Sequence, residues 1–253
     1  RRAQGSGGFP AIFARHRNIK QRNIGARCGG QLSGGVAFAR ADHGDPQPPP
    51  LPQRRVIETR KRGAVAAGAL GELSAIERNR QLFGAAFGYR PEGAPVFGIR
   101  CGDRLPWLPA ADYAVLLHAT SRDSKLWPEG HWIALAQALQ RQGLAIVIPW
   151  GSAAEQQRAQ RLAAAIPGAV LAPKMNLREA AALLGHAAAV IGVDTGLTHL
   201  ANALDVPLVA IYTDTDPALT GVVETARAAN IGRAGEIPAV DAVLALLARV
   251  RGA

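Results

Sequence analysis

Thr120, Ser121 and Lys125 bring two hydroxyls and one ammonium into a single short run, His118-Ala-Thr-Ser-Arg-Asp-Ser-Lys-Leu-Trp-Pro-Glu129. Hydroxyl donors beside an ammonium suit a diphosphate, because they bond its oxygens and offset the charge that builds on a departing phosphate. The plainer alternative is a turn capped by Thr120 and Ser121, with Lys125 in solvent and Trp127-Pro128 serving packing and the start of a helix. A second run, Asp194-Thr-Gly-Leu-Thr-His199, offers the Thr195 hydroxyl, Gly196 for close backbone approach, and free amides wherever a helix starts there. Asp194 is equally suited to cap that helix. His199, near one helical turn beyond Gly196, either faces the same mouth or packs as a buried, hydrogen-bonded residue. Glu155, in Pro149-Trp-Gly-Ser-Ala-Ala-Glu155, accepts from ribose hydroxyls or steadies a helix start by up to about 1 kcal/mol. Met175, in Leu171-Ala-Pro-Lys-Met175, packs on a flat base or into the core. Asp214 and Asp216 suit a metal on paper, but two nearby acids before Pro217 more often shape a turn.

These residues need elements to position them, and the pattern supplies them. Apolar runs at 113–118, 144–148, 169–171, 189–193 and 207–212 read as buried strands. Between and around them, 131–142, 153–166, 176–186, 196–204 and 239–250 read as helices, with Asn176 and Glu179 at capping-box spacing. Residues 72–87 add an earlier helix, followed by a connection rich in Gly and Pro at 88–108. Near-continuous apolar strands alternating with helices predict an α/β fold, a parallel sheet covered on both faces. Such a sheet binds ligands beyond the carboxyl ends of its strands. Each candidate residue lies just after a strand.

The chain divides unevenly. Of its 29 Lys+Arg and 19 Asp+Glu, 13 and 3 fall in residues 1–71, which leaves 16 of each in the remainder. The net charge of +10 therefore belongs wholly to the first stretch. That stretch is punctuated by Gly and Pro and lacks a patterned apolar face, so it reads as a basic, disordered or non-native segment. Its Arg, Gly, Ala and Pro also match GC-rich DNA read out of frame, and the chain begins with Arg. A solvated tail is the next reading. A nucleic-acid-binding arm ranks last, since only Phe9, Phe13 and Phe38 are available to stack on bases. The organisation expected is thus 1–71 as this segment, 72–110 as helix and linker, and 111–253 as a Rossmann-like domain.

Cys28 and Cys101 have no metal or redox spacing and favour a reducing compartment. No apolar run is long enough to span a bilayer and no signal peptide is evident, so the cytoplasm is the default. Dinucleotide and mononucleotide glycine fingerprints, a nucleophile elbow and zinc spacing are all missing. Neither a metal nor a cofactor is expected.

Taken in order, the segments from His118 to Pro128, Pro149-Trp-Gly, Pro173-Lys-Met and Val193-Asp-Thr-Gly-Leu-Thr-His-Leu200 resemble the lipopolysaccharide heptosyltransferases of type I, in glycosyltransferase family 9. Glu77-Arg and Leu82 to Tyr89 resemble that family's linker. The resemblance implies a GT-B architecture of two Rossmann-like domains. It also implies inverting transfer of L-glycero-D-manno-heptose from ADP-heptose to Kdo-lipid A, without a metal, with peripheral contact at the cytoplasmic face of the inner membrane. It assigns Thr120, Ser121, Lys125, Thr195 and Gly196 to the diphosphate, Glu155 to the ribose and Met175 to the adenine. Asp194 and His199 fall near the heptose and phosphates. The family's amino-terminal strand and Gly-Asp loop find no match: Gly44-Asp45 and Gly102-Asp103 follow nothing strand-like. The catalytic base is therefore carried to no residue, the amino-terminal acceptor half reads as absent or degenerate, and turnover is expected to be impaired. Two other readings share the donor site: a non-catalytic ADP-sugar or nucleotide-binding module, and a type II heptosyltransferase. No nucleic-acid partner is expected.

Overall fold

The computed structural model describes residues 73–252; the basic segment read at 1–71 lies outside the described residues. The chain first forms α1 (Ala75–Phe87), whose N-cap Ser74 accepts from the Glu77 amide at 3.2 Å and which ends at Gly88 with φ of 77°. A left-handed helix stop of this kind is cheap only for residues such as glycine. Six strands follow: β1 (Tyr113–Leu117), β2 (Ala145–Ile148), β3 (Val170–Leu171), β4 (Ala189–Val193), β5 (Leu208–Tyr212) and β6 (Ala228–Gly232). The connecting helices are α2 (Glu129–Arg141), α3 (Ala153–Ala165), α4 (Leu177–Gly185), α5 (Gly196–Ala203), the single turn α6 (Pro217–Thr220) and the closing α7 (Val240–Arg251).

All six strands are parallel, in the order β3-β2-β1-β4-β5-β6. The order reverses between β1 and β4, which places a topological switch point there. Alternation along β1 explains why both faces are covered. Ala114 and Leu116 join the core under α2, α3 and α7, while Tyr113, Val115 and Leu117 join the core under α4 and α5. Burial on both faces leaves no polar positions within the strand, hence the continuous apolar run. Trp127 and Trp132 are fully buried on the first face, edge to face at 5.0 Å. On the second, the buried Tyr113 hydroxyl donates to the Leu183 carbonyl at 2.7 Å.

One glycine is required by packing. A Cβ on Gly192 would stand 2.2 Å from Thr198 Oγ1 and 3.0 Å from Leu117 Cβ. Glycine there lets α5 lie directly on β4, where the Thr198 hydroxyl donates to the Val193 carbonyl at 2.7 Å. That contact fixes where α5 begins relative to the sheet, and so where Asp194, Thr195 and Gly196 stand.

The expected strands and helices are all present, with ends shifted by a residue or two, α1 starting three residues later than read. The capping box at Asn176 and Glu179 is formed: Asn176 Oδ1 accepts from the Arg178 and Glu179 amides, and Glu179 accepts from the Asn176 amide. The sequence reading lacked β6, α6 and a 3-10 turn at Asp123–Lys125. β6 carries Asn230 and ends in Gly232, so its composition does not announce a strand; pairing with β5 makes it one.

Candidate functional site

Polar residues gather where the sheet changes direction. The loop after β1 folds into the turn Asp123–Lys125, and the loop after β4 leads into α5. Lys125 Nζ and Asp194 Oδ2 meet across the switch point at 2.7 Å, with side chains 16% and 10% exposed. Thr215 Oγ1 donates to the same carboxylate oxygen at 2.8 Å, and Thr120 Oγ1 donates to the Asp194 main-chain carbonyl at 2.8 Å. His199 Nε2 stands 3.8 Å from Asp194 Oδ1, within ion-pair range and too long for a hydrogen bond. Burial alone would raise the Asp194 pKa. The neighbouring His199, Lys125 and Thr215 outweigh it and bring the carboxyl down to about 2. Asp194 is therefore an anion at neutral pH, and Lys125 its counter-ion.

This geometry decides among the alternatives left open by the sequence. Asp194 does not cap α5. The N-cap is Thr195, without a side-chain cap bond, so the first amides of α5 keep free donors at the mouth. His199 is not a buried helix residue; 37% of its side chain is exposed. Lys125 is paired and not solvated, and Ser121 is exposed. Asp214 accepts from Ser124 Oγ at 2.6 Å and Asp216 caps α6, so these acids shape turns. Among the described residues no group of acids, histidines and cysteines is placed to hold a metal ion.

Glu155 and Met175 lie further along the same sheet edge. Glu155 Oε2 accepts from the Gly151 and Ser152 amides at 2.7 and 3.1 Å, while Ser152 Oγ accepts from the Glu155 amide, completing a capping box on α3. Ser152-x-x-Glu155 has the spacing of such a cap, which the sequence reading did not name. The cap commits Oε2 to the backbone. Met175 is half-buried and packs against the core beneath α4. Across the sheet the order is Met175 after β3, Glu155 after β2, Lys125 after β1 and Asp194 after β4. At about 4.8 Å per strand this row runs about 14 Å, a reach suited to an extended nucleoside diphosphate.

Thr215 is a residue the sequence reading missed. Its role depends on a contact with Asp194, and nothing local in Tyr212-Thr-Asp-Thr-Asp216 announces it.

With the geometry in place, likeness to known proteins becomes informative. The family model "Glycosyltransferase family 9 (heptosyltransferase)" matches residues 62–243. Lipopolysaccharide heptosyltransferase 1 of Escherichia coli K12 is 45% identical over 150 residues, which cover 58% of this chain and 47% of that protein. The Pseudomonas aeruginosa protein of the same name is 43% identical over 148 residues, covering 58% and 42%. The chain thus spans about half the length of the curated relatives it matches. Among solved structures, E. coli heptosyltransferase WaaC with ADP aligns at a TM-score of 0.58 and 37% identity, over 70% of this chain and 57% of that one. The same enzyme with ADP-2-deoxy-2-fluoro heptose aligns at 0.55 and 36% identity, over 69% and 55%. A parallel Rossmann-like sheet, a polar pair at its switch point and a family match across most of the chain agree, and the chain belongs to glycosyltransferase family 9, the heptosyltransferases.

Proposed function

We propose that this chain carries the donor-binding half of a heptosyltransferase that takes heptose from ADP-heptose. The observation that carries the reading is the Lys125–Asp194 pair at the switch point, beside the uncapped start of α5. Lys125, Thr120, Ser121 and the Thr195–Gly196 amides receive the diphosphate; the helix end and the ammonium both favour the charge that accumulates as ADP leaves. Asp194 and His199 address the sugar and its phosphates. Glu155 keeps Oε1 for a ribose hydroxyl, and Met175 takes the adenine. The solved relatives that hold ADP and an ADP-heptose analogue support this assignment.

The complete reaction proposed is inverting transfer of L-glycero-D-manno-heptose to Kdo-lipid A in inner-core assembly, at the cytoplasmic face of the inner membrane. Among the described residues no helix is long and apolar enough to cross a membrane. No residue of this chain is assigned as the base, and transfer needs base, acceptor and donor held together. The chain on its own is therefore expected to bind donor and to turn over poorly.

Calorimetry with ADP, UDP and GDP tests the reading. ADP is expected to be selected, and Lys125→Ala to weaken it about tenfold or more, a loss of about 1.4 kcal/mol. A folded sample that ignores ADP overturns the donor site. ADP binding without heptose transfer, even with Kdo-lipid A supplied, favours a binding module.

A further inference from the structure

We infer that Arg158 is a positioning residue: it holds the Lys125 loop in register with the start of α3, and so sets the diphosphate end of the site against the ribose end. The inference rests on the donor-site reading above. Arg158 sits one turn after Glu155 on α3, with its side chain only 14% exposed. Nη2 donates to the Trp127 main-chain carbonyl at 2.7 Å, and Nη1 lies 3.3 Å from Glu129 Oε1 in the first turn of α2. Arg161 Nη2 reaches the same Glu129 oxygen at 2.7 Å from the next turn of α3. One guanidinium therefore joins the end of the loop, the start of α2 and the body of α3.

Trp127 is a firm anchor for this purpose. It is fully buried, and its indole Nε1 donates to the Pro238 carbonyl at 2.9 Å. Lys125 lies two residues upstream. On its other side the turn is tied to the loop after β5, where Thr213 Oγ1 donates to the Ser124 carbonyl at 2.9 Å and Asp214 accepts from Ser124 Oγ. Lys125 is thus suspended between two fastenings, Ser124 to the β5 side and Trp127 to α3. Only the second is made by a charged group from the helix that carries Glu155.

A largely buried guanidinium is a costly way to satisfy one carbonyl, and an apolar side chain of similar volume often replaces a buried ion pair without loss. What the cation adds is direction: a planar fork that meets a carbonyl and a carboxylate at fixed angles. Beside it, His118 is fully buried and neither ring nitrogen has a hydrogen-bond partner among the described residues. Arg158 touches neither Lys125 nor Asp194, so it acts through the loop.

The test is a thermodynamic cycle on the full chain, read by ADP calorimetry and thermal unfolding. Arg158→Met is expected to weaken ADP about tenfold in the wild-type background and less than twofold in the Lys125→Ala background, because the loop then has no ammonium to place. Arg158→Lys, which keeps one donor for the Trp127 carbonyl, is expected to restore part of the affinity and stands in should the Met variant not fold. Equal weakening in both backgrounds, or none in either, overturns the inference, since a general loss of packing would not depend on Lys125. Should wild type itself not bind ADP, the donor-site reading fails separately. Backbone hydrogen exchange then decides: selective acceleration at Ser124–Leu126 in Arg158→Met sustains the positioning role, and unchanged exchange there refutes it.

Discussion

The end of β1 leads to two clusters of polar groups, and they handle charge in opposite ways. At the mouth, Asp194 has Lys125 at 2.7 Å and Thr215 at 2.8 Å, and it stays ionised despite its burial. Directly after β1, the buried His118 has neither ring nitrogen paired among the described residues. Burial first, and the Arg158 charge second, push its pKa down to about 4, so it stays neutral. Partners preserve a charge in the first cluster; burial and a neighbouring cation remove one in the second. The open cluster keeps ions that a ligand can recruit, whereas the closed one leaves Arg158 facing Glu129 and a backbone carbonyl.

Breaking the mouth pair is expected to have the largest effect. Asp194→Ala leaves Lys125 without its counter-ion in a mostly buried position and should cost about 3–4 kcal/mol in urea unfolding. The low end of the range for buried pairs applies because Lys125 retains some contact with water. A loss no larger than that of an exposed pair, below about 1 kcal/mol, would show that the two clusters do not differ as described.

The closed cluster is tested by pH. An unfolded His118 takes up a proton near the ordinary imidazole value of 6.5, while the folded one resists until about 4. The unfolded state binds more protons in that interval, so stability is complete above pH 6.5 and falls by about 3 kcal/mol towards pH 4. Unfolding curves of His118→Phe should lack that slope. The mouth responds lower down. Asp194 is depressed from 3.8 to about 2, so its contribution is present above pH 3.8 and lost as pH falls through about 2, on the order of 2 kcal/mol. Asp194→Asn should remove the acid limb and leave the His118 slope intact, which separates the clusters in one titration series.

A smaller change sharpens the contrast between capped and uncapped helices. Ser152→Ala breaks the box on α3 and should cost about 1 kcal/mol in thermal unfolding. ADP affinity should change little, because the Gly151 and Ser152 amides that hold the Glu155 carboxylate are main-chain groups that alanine keeps.

Much of this is legible in the sequence alone. β4 falls at 189–193 as read, because its Ala-Val-Ile-Gly-Val run has no helical alternative of sufficient length. The capping box at Asn176 was legible because all its atoms lie within four residues. Asp194 was not settled, since as a candidate cap it looks the same whether its partner is an amide next door or an ammonium 69 residues upstream. Thr215 and Arg158 escaped for the same reason: each acts on a loop distant in the chain. β6 escaped because Ala-Ala-Asn-Ile-Gly acquires its strand character only from β5.

The sequence by itself determined the alternation of strand and helix, the burial of both sheet faces, and the placing of each candidate just after a strand, since local periodicity and turn chemistry write those features. Tertiary structure alone decided which of the candidates meet. The parallel order, reversing between β1 and β4, sets Lys125 against Asp194, ranks Glu155 and Met175 along one edge, and turns Arg158 onto the Trp127 carbonyl. Those pairings rest on strand order and on the close approach of α5 at Gly192, properties of the packed sheet that no short stretch of residues contains.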